Sequence, residues 1–447
     1  MRKIIRRKNM KKSVKFTVMI AVILTAVSLS ACGKENTGSP EAKYDIRNAT
    51  VVCSDQGAVE YYHTGNGTDE KTVYELGSNG KTVAAYTALA MVEEGLLDLD
   101  EKIMPYLDPE LITEDGRMKD ITLRQLLCHT AGFSPSYEFG IDQTIYTDPG
   151  AAFCYSGVGY IYLQNVIENA SGMTMDQAAS KYVFEPLGMK HSTFESAKTI
   201  HPYMNAGTAV LYALLIFVIT LLILSALAFL FGKLTGFKFY SFANALLVCF
   251  TAAGTVNILS LLFLFSSNFS KVLVLFLILF AIMGTGLLLT KKHPKLYYAI
   301  VPAGTVFALI LGFVLPVTVP VTNTLIRQEA NCAYTFKSTG EDMALFCDEL
   351  MNKAGDSGSR ISDMFEPAVT IDEKNAWGLG IAIEYTEEGK PVYWHSGINP
   401  GYQSLYVLYP AENKYIVILT NSDRGLDYSK EKARSFLGVD GTWDIQR

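Results

Sequence analysis

Charge is scarce in this 447-residue chain, because Asp, Glu, Lys and Arg together make up only 18% of its residues. Hydrophobic residues make up 49%, and the mean hydropathy of +0.20 is high for an ordinary soluble protein of this length. We therefore expect much of the apolar excess to lie in a membrane. The net charge of −6 and the lack of a basic patch beyond the N-terminus and two short loops exclude nucleic acid as a partner.

Metal-binding and redox patterns are also missing. The seven cysteines show no CxxC spacing and no adjacent pair of histidines, so the sequence indicates no metal site and no cofactor. Apart from Cys32, which is discussed next, we expect the cysteines to be small buried apolar residues rather than members of disulfides.

The N-terminus is typical of a secretory signal. Residues 1–12 are rich in Arg and Lys, residues 14–27 are apolar, and small residues precede Cys32. The segment ending in Cys32 resembles a bacterial lipoprotein box, which implies removal of residues 1–31 and a lipid on Cys32. The alternatives are an uncleaved anchor and a start at Met10 instead of Met1. Residues 32–47 are polar and predict a tether.

The next part of the chain, residues 48–204, predicts a soluble segment of strands and helices. Short runs rich in Val and Tyr at 49–53 and 58–63, separated by a turn composition, predict a hairpin. Thr122 with Gln125, and Thr174 with Gln177, have the spacing of a capping box. Each pair therefore predicts the start of a helix.

Residues 205–326 differ abruptly in composition. Four apolar runs, at about 207–231, 239–265, 272–290 and 297–321, are each long enough to cross a bilayer. The first and third connecting loops carry most of the lysines, so the positive-inside rule places them in the cytoplasm. The segments before and after this transmembrane insert then both lie outside.

Residues 327–447 predict a second soluble segment. A cap at 338–341 predicts a helix over 342–353, and strand-like runs at 378–385, 391–395, 404–409 and 415–420 are spaced like an antiparallel meander. Residues 429–436 predict a closing helix.

Ser78 and Lys81 are the first candidate catalytic residues. They stand at the predicted start of a helix, and three residues of helix place both side chains on one face. A serine hydroxyl needs a nearby base to become a nucleophile, and a helix start favours the negative charge of an oxyanion, so the pair fits acyl transfer. Ser429 and Lys432 repeat the spacing in a charged segment that we interpret as a solvated helix face, so the spacing alone decides nothing.

Further motifs follow in a fixed order: a stretch ending in His129-Thr130-Ala131-Gly132, then Tyr155-Ser156-Gly157, and finally His395-Ser396-Gly397. With these motifs, residues 49–197 and 338–423 resemble the serine β-lactamase and penicillin-binding protein superfamily. The resemblance is to the class C β-lactamase-like group with its D,D-carboxypeptidases, D-aminopeptidases and esterases. It implies an α/β (α+β) fold in which an antiparallel sheet of about five strands is flanked by helices and joined by a helical subdomain. Here a four-helix transmembrane insert interrupts that fold, so the two soluble halves must rejoin.

The resemblance also implies roles for individual residues. Ser78 would be the acylated nucleophile, Lys81 its proton partner, and Tyr155 the hydroxyl that carries protons to the leaving group and activates the deacylating water. The backbone N–H groups of Ser78 and Ile398 would form the oxyanion hole. The substrate-binding residues would be His395, Ser396, Gly397 and Gly157, with Gly397 letting the substrate backbone approach closely. His129 would be structural.

Two positions depart from the pattern of β-lactamases. Gly157 stands where those enzymes often have Asn, and His395 stands where they usually have Lys. Both differences disfavour efficient β-lactam hydrolysis and leave peptidase or esterase chemistry open.

Together these features predict a multi-pass, lipid-anchored membrane protein whose catalytic domain faces away from the cytoplasm. We expect a serine hydrolase that acts through an acyl-Ser78 intermediate on an amide, an ester or a β-lactam, such as a cell-wall-related peptide. Membrane lipid would be its other partner. The alternative is a penicillin-binding sensor with slow turnover that signals through the membrane helices.

Overall fold

An antiparallel sheet of eight strands forms the centre of the described structure. The computed structural model describes residues 39–134, 141–200 and 330–444. The sheet contains β1 (Ala49–Asp55), β2 (Ala58–Thr64), β5 (Val369–Thr370), β6 (Asn375–Trp377), β7 (Ala382–Tyr385), β8 (Pro391–Asn399), β9 (Tyr402–Tyr409) and β10 (Lys414–Thr420). In this sheet the strands lie in the order β2-β1-β10-β9-β8-β7-β6-β5. A separate pair consists of β3 (Tyr74–Gly77) and β4 (Phe336–Ser338).

Helices accompany the sheet, and one of them, α2, is buried along most of its length. The α-helices are α1 (Pro40–Lys43), α2 (Gly80–Glu93), α3 (Leu123–Leu127), α4 (Gly157–Ser171), α5 (Met175–Ala179), α6 (Glu185–Leu187), α7 (Gly340–Lys353) and α8 (Gly425–Leu437). Short 3-10 turns lie at Met104–Tyr106, Pro109–Leu111, Met118–Asp120, Arg360–Phe365 and Pro410–Glu412, and a π turn lies at Ser180–Phe184.

The parts of the chain before and after residues 205–326 contribute strands to one sheet. Strand β1 pairs with β10 along its whole length, from Ala49 opposite Thr420 to Asp55 opposite Lys414. Strand β3 likewise pairs with β4, with Tyr74 opposite Ser338. The expectation that the halves rejoin is therefore confirmed.

The signal peptide, the lipidated Cys32 and the four membrane spans all lie outside the described residues and stay predictions. Within the described ranges, no helix is both long enough and apolar enough to cross a bilayer. The five cysteines of these ranges (Cys53, Cys128, Cys154, Cys332 and Cys347) are free thiols. Cys128, Cys332 and Cys347 are buried, as expected, whereas Cys53 and Cys154 are only half-buried.

The prediction of about five strands is wrong, because the sheet has eight. Strands β5 and β6 contain only two and three residues, which is too short for an alternating pattern to show. The predicted strand at 378–385 is in fact a turn followed by β7, because the Gly378 N–H closes the turn onto the Ile381 carbonyl at 2.9 Å. Strand β8 also continues beyond the predicted end, to Asn399.

The helix starts agree better with the sequence. Thr122 and Thr174 form complete capping boxes with Gln125 and Gln177, as predicted. Helix α7 begins at Gly340 with Thr339 as its cap, and α8 begins at Gly425, four residues before the predicted start.

Gly397 allows β8 to pack tightly against β3, the strand that leads to Ser78. A Cβ atom at position 397 would lie 1.8 Å from the Leu76 carbonyl oxygen and 2.8 Å from Ser404 Oγ. Ser404 Oγ also donates to that carbonyl at 3.2 Å, and Asn79 Nδ2 donates to Ser404 Oγ at 2.9 Å. Packing within the protein therefore already requires a glycine at this position, and its predicted role toward a substrate stays a prediction.

The turn after α3 holds the loop that carries Tyr155. His129 has a positive φ of 57°, and its Nδ1 accepts a hydrogen bond from the Ser156 N–H at 3.0 Å. Its carbonyl accepts one from the Cys154 N–H at 2.8 Å. The imidazole is buried, and this burial, together with the Lys81 cation and His395, holds the pKa of His129 well below its ordinary value of 6.5. His129 is therefore a neutral structural residue, as the resemblance implied.

We predict that Gly397→Ala lowers the free energy of unfolding by at least about 2 kcal/mol, because the new methyl group collides with backbone rather than with a flexible side chain. Gly116→Ala is the matched control, since a Cβ atom there meets no atom within 4 Å. Denaturant melts of the two variants make the comparison. Equal midpoints would show that β8 and β3 are not tightly packed at Gly397.

We also predict an acid-sensitive contribution of His129 to stability. Because its folded-state pKa is lowered, the unfolded chain binds more protons below about pH 6.5, and stability falls as the pH decreases through that value. His129→Asn keeps an oxygen acceptor near Ser156 and tolerates the positive φ, but it does not titrate.

Between about pH 7.5 and pH 5.5, the wild type should lose about 1.4 kcal/mol more unfolding free energy than His129→Asn. Chemical denaturation at both pH values measures this difference. Parallel pH dependences for the two proteins would refute the neutral, buried state of His129.

Candidate active site

The turn from β3 into α2 presents Ser78 at the surface of the core. Gly77 ends β3 with a φ of 52°, in the left-handed region that glycine adopts without steric cost, and Ser78 follows it. The turn is closed by the Asn79 N–H on the Leu76 carbonyl at 3.2 Å and by the Lys81 N–H on the Ser78 carbonyl at 3.0 Å. Helix α2 begins at Gly80, so Ser78 lies just before a helix N-terminus.

Lys81 lies beside Ser78, as predicted. Its Nζ donates to Ser78 Oγ at 2.9 Å and to the Ala333 carbonyl at 2.7 Å, and the side chain is only 1% exposed. None of the ion pairs in the described part of the chain includes Lys81. Nζ and Oγ are therefore in position to exchange a proton.

Tyr155 completes the predicted trio. It lies on the loop just before α4, and its ring centroid is 5.1 Å from Lys81 Nζ. Ser156 fixes this loop, because its Oγ caps α4 by accepting from the Gly159 N–H at 2.8 Å and donates to the Ser134 carbonyl at 2.7 Å. Gly157 is the buried first residue of α4 and has no side chain to offer the site.

Strand β8 borders the other side of the site. The backbone nitrogen of Ile398 lies 3.1 Å from an ideal Cβ position on Gly77, so it is close to the residue before Ser78. The Ile398 side chain is 46% exposed, whereas His395 is buried, with its Nδ1 2.8 Å from the Ser396 carbonyl. The His395 ring lies 6.2 Å from the Tyr155 ring. The positions fit the predicted oxyanion hole and substrate strand, and those two roles stay predictions.

The sequence did not reveal the role of Ala333, a residue of the second half whose backbone carbonyl accepts a hydrogen bond from Lys81. Its backbone carbonyl is fixed by a turn in which the Ala333 N–H donates to Asn331 Oδ1 at 2.8 Å and the Thr335 N–H donates to the Asn331 carbonyl at 2.9 Å. The Cys332 N–H donates to Gln164 Oε1 on α4 at 2.9 Å. A carbonyl acceptor has no residue signature, so only the Asn at the start of the turn was a possible signal.

A second tyrosine near Lys81 was also missed. Tyr160, on α4, is fully buried, and its ring centroid lies 5.7 Å from Lys81 Nζ. Its hydroxyl donates to the Leu127 carbonyl at 3.2 Å. The rings of His129 and Trp377 complete this aromatic surround, with His129 centred 5.0 Å from Tyr160 and 4.9 Å from Trp377.

The second Ser-Lys pair is structural. Ser429 is buried in α8, where its hydroxyl donates to the Gly425 carbonyl at 2.7 Å, and Lys432 Nζ pairs with Glu41 at 2.9 Å. The interpretation of this segment as a solvated face is therefore wrong for Ser429.

No group of three or more His, Cys, Asp and Glu side chains in residues 39–134, 141–200 and 330–444 is arranged to hold a metal ion.

The chain is similar to known proteins over limited stretches. It is 25% identical over 174 residues to penicillin-binding protein 4* of Bacillus subtilis (strain 168), covering 32% of this chain and 37% of that protein. It is 26% identical over 222 residues to a β-lactamase of Providencia stuartii, covering 45% of this chain and 57% of that protein. The chain thus spans between about a third and just over half the length of these curated relatives.

The fold is shared more widely than the sequence. The structure of the octameric penicillin-binding protein homologue from Pyrococcus abyssi superposes with a TM-score of 0.56 at 15% identity, covering 89% of this chain and 75% of that one. Residues 32–209 match the family described as Beta-lactamase. This match includes Ser78, Lys81 and Tyr155, so the part of the chain that carries the predicted trio is similar to the β-lactamase family.

Proposed function

We propose that the chain is a serine hydrolase that acts through an acyl-Ser78 intermediate on an amide, ester or β-lactam, with a cell-wall-related peptide as its natural class of substrate. The observation that carries the proposal is the 2.9 Å contact of the buried Lys81 Nζ with the half-buried Ser78 Oγ. The names of the relatives, among them a putative D-alanyl-D-alanine carboxypeptidase of Escherichia coli (strain K12), support this substrate class.

Acylation begins when the Lys81 amine accepts the proton of Ser78 Oγ, as that oxygen bonds to the carbonyl carbon of the substrate, and becomes the ammonium group that its neighbours stabilise. The carbonyl oxygen gains negative charge. The N–H groups of Ser78 and Ile398, together with the N-terminus of α2, lie where they can stabilise this charge. The buried position of the site strengthens each of these interactions.

The proton then passes to the leaving group. Tyr155, whose ring lies 5.1 Å from Lys81 Nζ, donates a proton to the departing nitrogen or oxygen as the scissile bond breaks, and it regains one from Lys81. In deacylation, water gives its proton to the same pair and its oxygen to the acyl carbon. The bond to Ser78 Oγ then breaks, and Oγ regains its proton.

The environment of His395 supports peptidase or esterase chemistry over efficient β-lactam hydrolysis. The ring is buried, with Nδ1 at the Ser396 carbonyl, so β8 does not present an ammonium group where β-lactamases usually have Lys. A carboxylate on the substrate would therefore lack that charged partner.

The location proposed for the site is the outer face of a membrane, with a lipid on Cys32 and residues 205–326 crossing the bilayer. The four apolar runs and the lysine-rich loops between them support this location. The pairing of β1 with β10 supports it as well, because both halves must then lie on one side.

A sensor is the second candidate function. The specific observation in its favour is that residues on either side of the segment 201–329 make hydrogen bonds to Lys81 and to the residue before β3. Ala333 accepts from Lys81, and the Ile200 N–H donates at 2.8 Å to the Val73 carbonyl, just before β3. In a sensor, the acyl-enzyme would persist, whereas in a hydrolase it would turn over.

We predict that Ser78→Ala abolishes both adduct and product, with a loss of at least about 1,000-fold in kcat/KM, because no other group can form the acyl bond. Purified wild type and variant are incubated with a fluorescent penicillin, a D-Ala-D-Ala peptide and a short-chain ester, and followed by mass spectrometry.

Ser429→Ala is the matched control and should stay active, because it removes the other serine with this spacing. A time course separates the two functions, since an adduct that decays with product release indicates a hydrolase and a lasting adduct indicates a sensor. Equal product formation by Ser78→Ala and the wild type would overturn both.

We further predict that cysteines placed at the exposed positions Asn66 and Glu388, one in each half, react with a membrane-impermeant thiol reagent in intact cells to the same extent. Both positions should be labelled from outside, because the halves share one sheet. The wild-type chain controls for native thiols. Labelling that requires permeabilised cells at both positions would place the domain in the cytoplasm.

A further inference from the structure

The ammonium group of Lys81 is buried in surroundings that provide dipoles and aromatic faces. Its nearest groups are Ser78 Oγ at 2.9 Å, the Ala333 carbonyl at 2.7 Å, and the rings of Tyr155 and Tyr160, centred at 5.1 and 5.7 Å. A desolvated cation needs compensation, and an aromatic face within about 6 Å supplies it by electrostatic attraction. The two rings therefore contribute to keeping the cation in place.

The two tyrosines differ in what else they can do. Tyr155 is partly exposed and lies on the loop before α4, where it fits a proton-carrying role. Tyr160 is fully buried within α4, and its hydroxyl is directed away from the reaction to the Leu127 carbonyl. Only the ring of Tyr160 is thus available to Lys81.

The position of the Tyr160 ring is tightly fixed. A Cβ atom on Gly380 would lie 3.3 Å from the Tyr160 hydroxyl, and the His129 ring packs at 5.0 Å. Cys332 Sγ contacts the Tyr160 carbonyl at 3.0 Å, which joins this residue to the turn that holds Ala333. Such rigid surroundings hold the ring where it faces the ammonium group.

We propose that Tyr160 is a positioning residue for the proposed hydrolase reaction. Its ring, through a cation–π contact, shields Lys81 Nζ from water and keeps it directed at Ser78 Oγ. The inference rests on the proposed function for its effect on rate, and on the structure alone for its effect on Lys81. It assigns Tyr160 no direct contact with the substrate.

The test compares three variants on the same helix. Tyr160→Phe keeps the ring, and the Leu127 carbonyl still accepts from the Gly380 N–H at 3.1 Å. Tyr160→Leu removes the ring. Tyr162→Leu is the matched control, because Tyr162 is equally buried, donates to the Leu111 carbonyl at 2.9 Å and stacks on Phe133 at 4.3 Å, away from Lys81.

We predict that Tyr160→Leu lowers kcat by about tenfold or more on a short-chain ester with KM nearly unchanged, and alters the pH profile of kcat/KM. Tyr160→Phe should stay within about threefold of the wild type. Tyr162→Leu should lose thermal stability to about the same degree as Tyr160→Leu while keeping its kcat. Equal kcat values for the two leucine variants would overturn the positioning role and leave the hydrolase proposal standing.

A second readout does not depend on activity. In the Ser78→Ala background, Lys81 is labelled with acetic anhydride and quantified by peptide mass spectrometry. Loss of the Tyr160 ring should raise the labelling rate severalfold, whereas Tyr160→Phe and Tyr162→Leu should leave it unchanged. If the wild type shows no Ser78-dependent chemistry, only the proposed function fails; unchanged labelling in Tyr160→Leu would refute the cation–π contact itself.

Discussion

The burial of the Lys81 ammonium group is the constraint on which the site depends. An ammonium that is 1% exposed must be compensated by its neighbours, and here they are a hydroxyl, a carbonyl and two aromatic rings. A carboxylate close to Nζ would hold the ammonium charged and compete with Ser78 for it. With neutral partners, Nζ can give up its proton and take one back, which the proposed acyl transfer requires.

This constraint explains why the two halves of the chain must meet. Ser78, Lys81 and Tyr155 come from the first half, whereas the Ala333 carbonyl and the Ile398 N–H come from the second. The pairing of β1 with β10 and of β3 with β4 brings these groups together across a separation of more than two hundred residues in sequence.

Much of the fold and of the candidate site could be predicted, because helix starts, strands and candidate catalytic residues are marked by the types and spacing of side chains. The capping boxes at Thr122 and Thr174, the β1–β2 hairpin and the Ser78–Lys81–Tyr155 trio each depend on residue types at fixed spacings. What was missed depends on backbone or on distant packing. The Ala333 carbonyl has no residue signature, β5 and β6 are too short for a pattern, and the need for Gly397 arises only where β8 meets Leu76.

The aromatic surround of Lys81 also decides how many charges the site can hold. His129 lies within this surround, and its burial and the lysine cation both lower the pKa of the imidazole, so it stays neutral next to Tyr155 and Tyr160. A second cation at this depth would repel the first and weaken its attraction to the rings. A neutral histidine instead fixes the Tyr155 loop through the Ser156 N–H without adding charge. His129 and the two tyrosines thus surround Lys81 without adding a second cation, which in the proposed mechanism favours transfer of the Ser78 proton to Lys81 rather than to a neighbour.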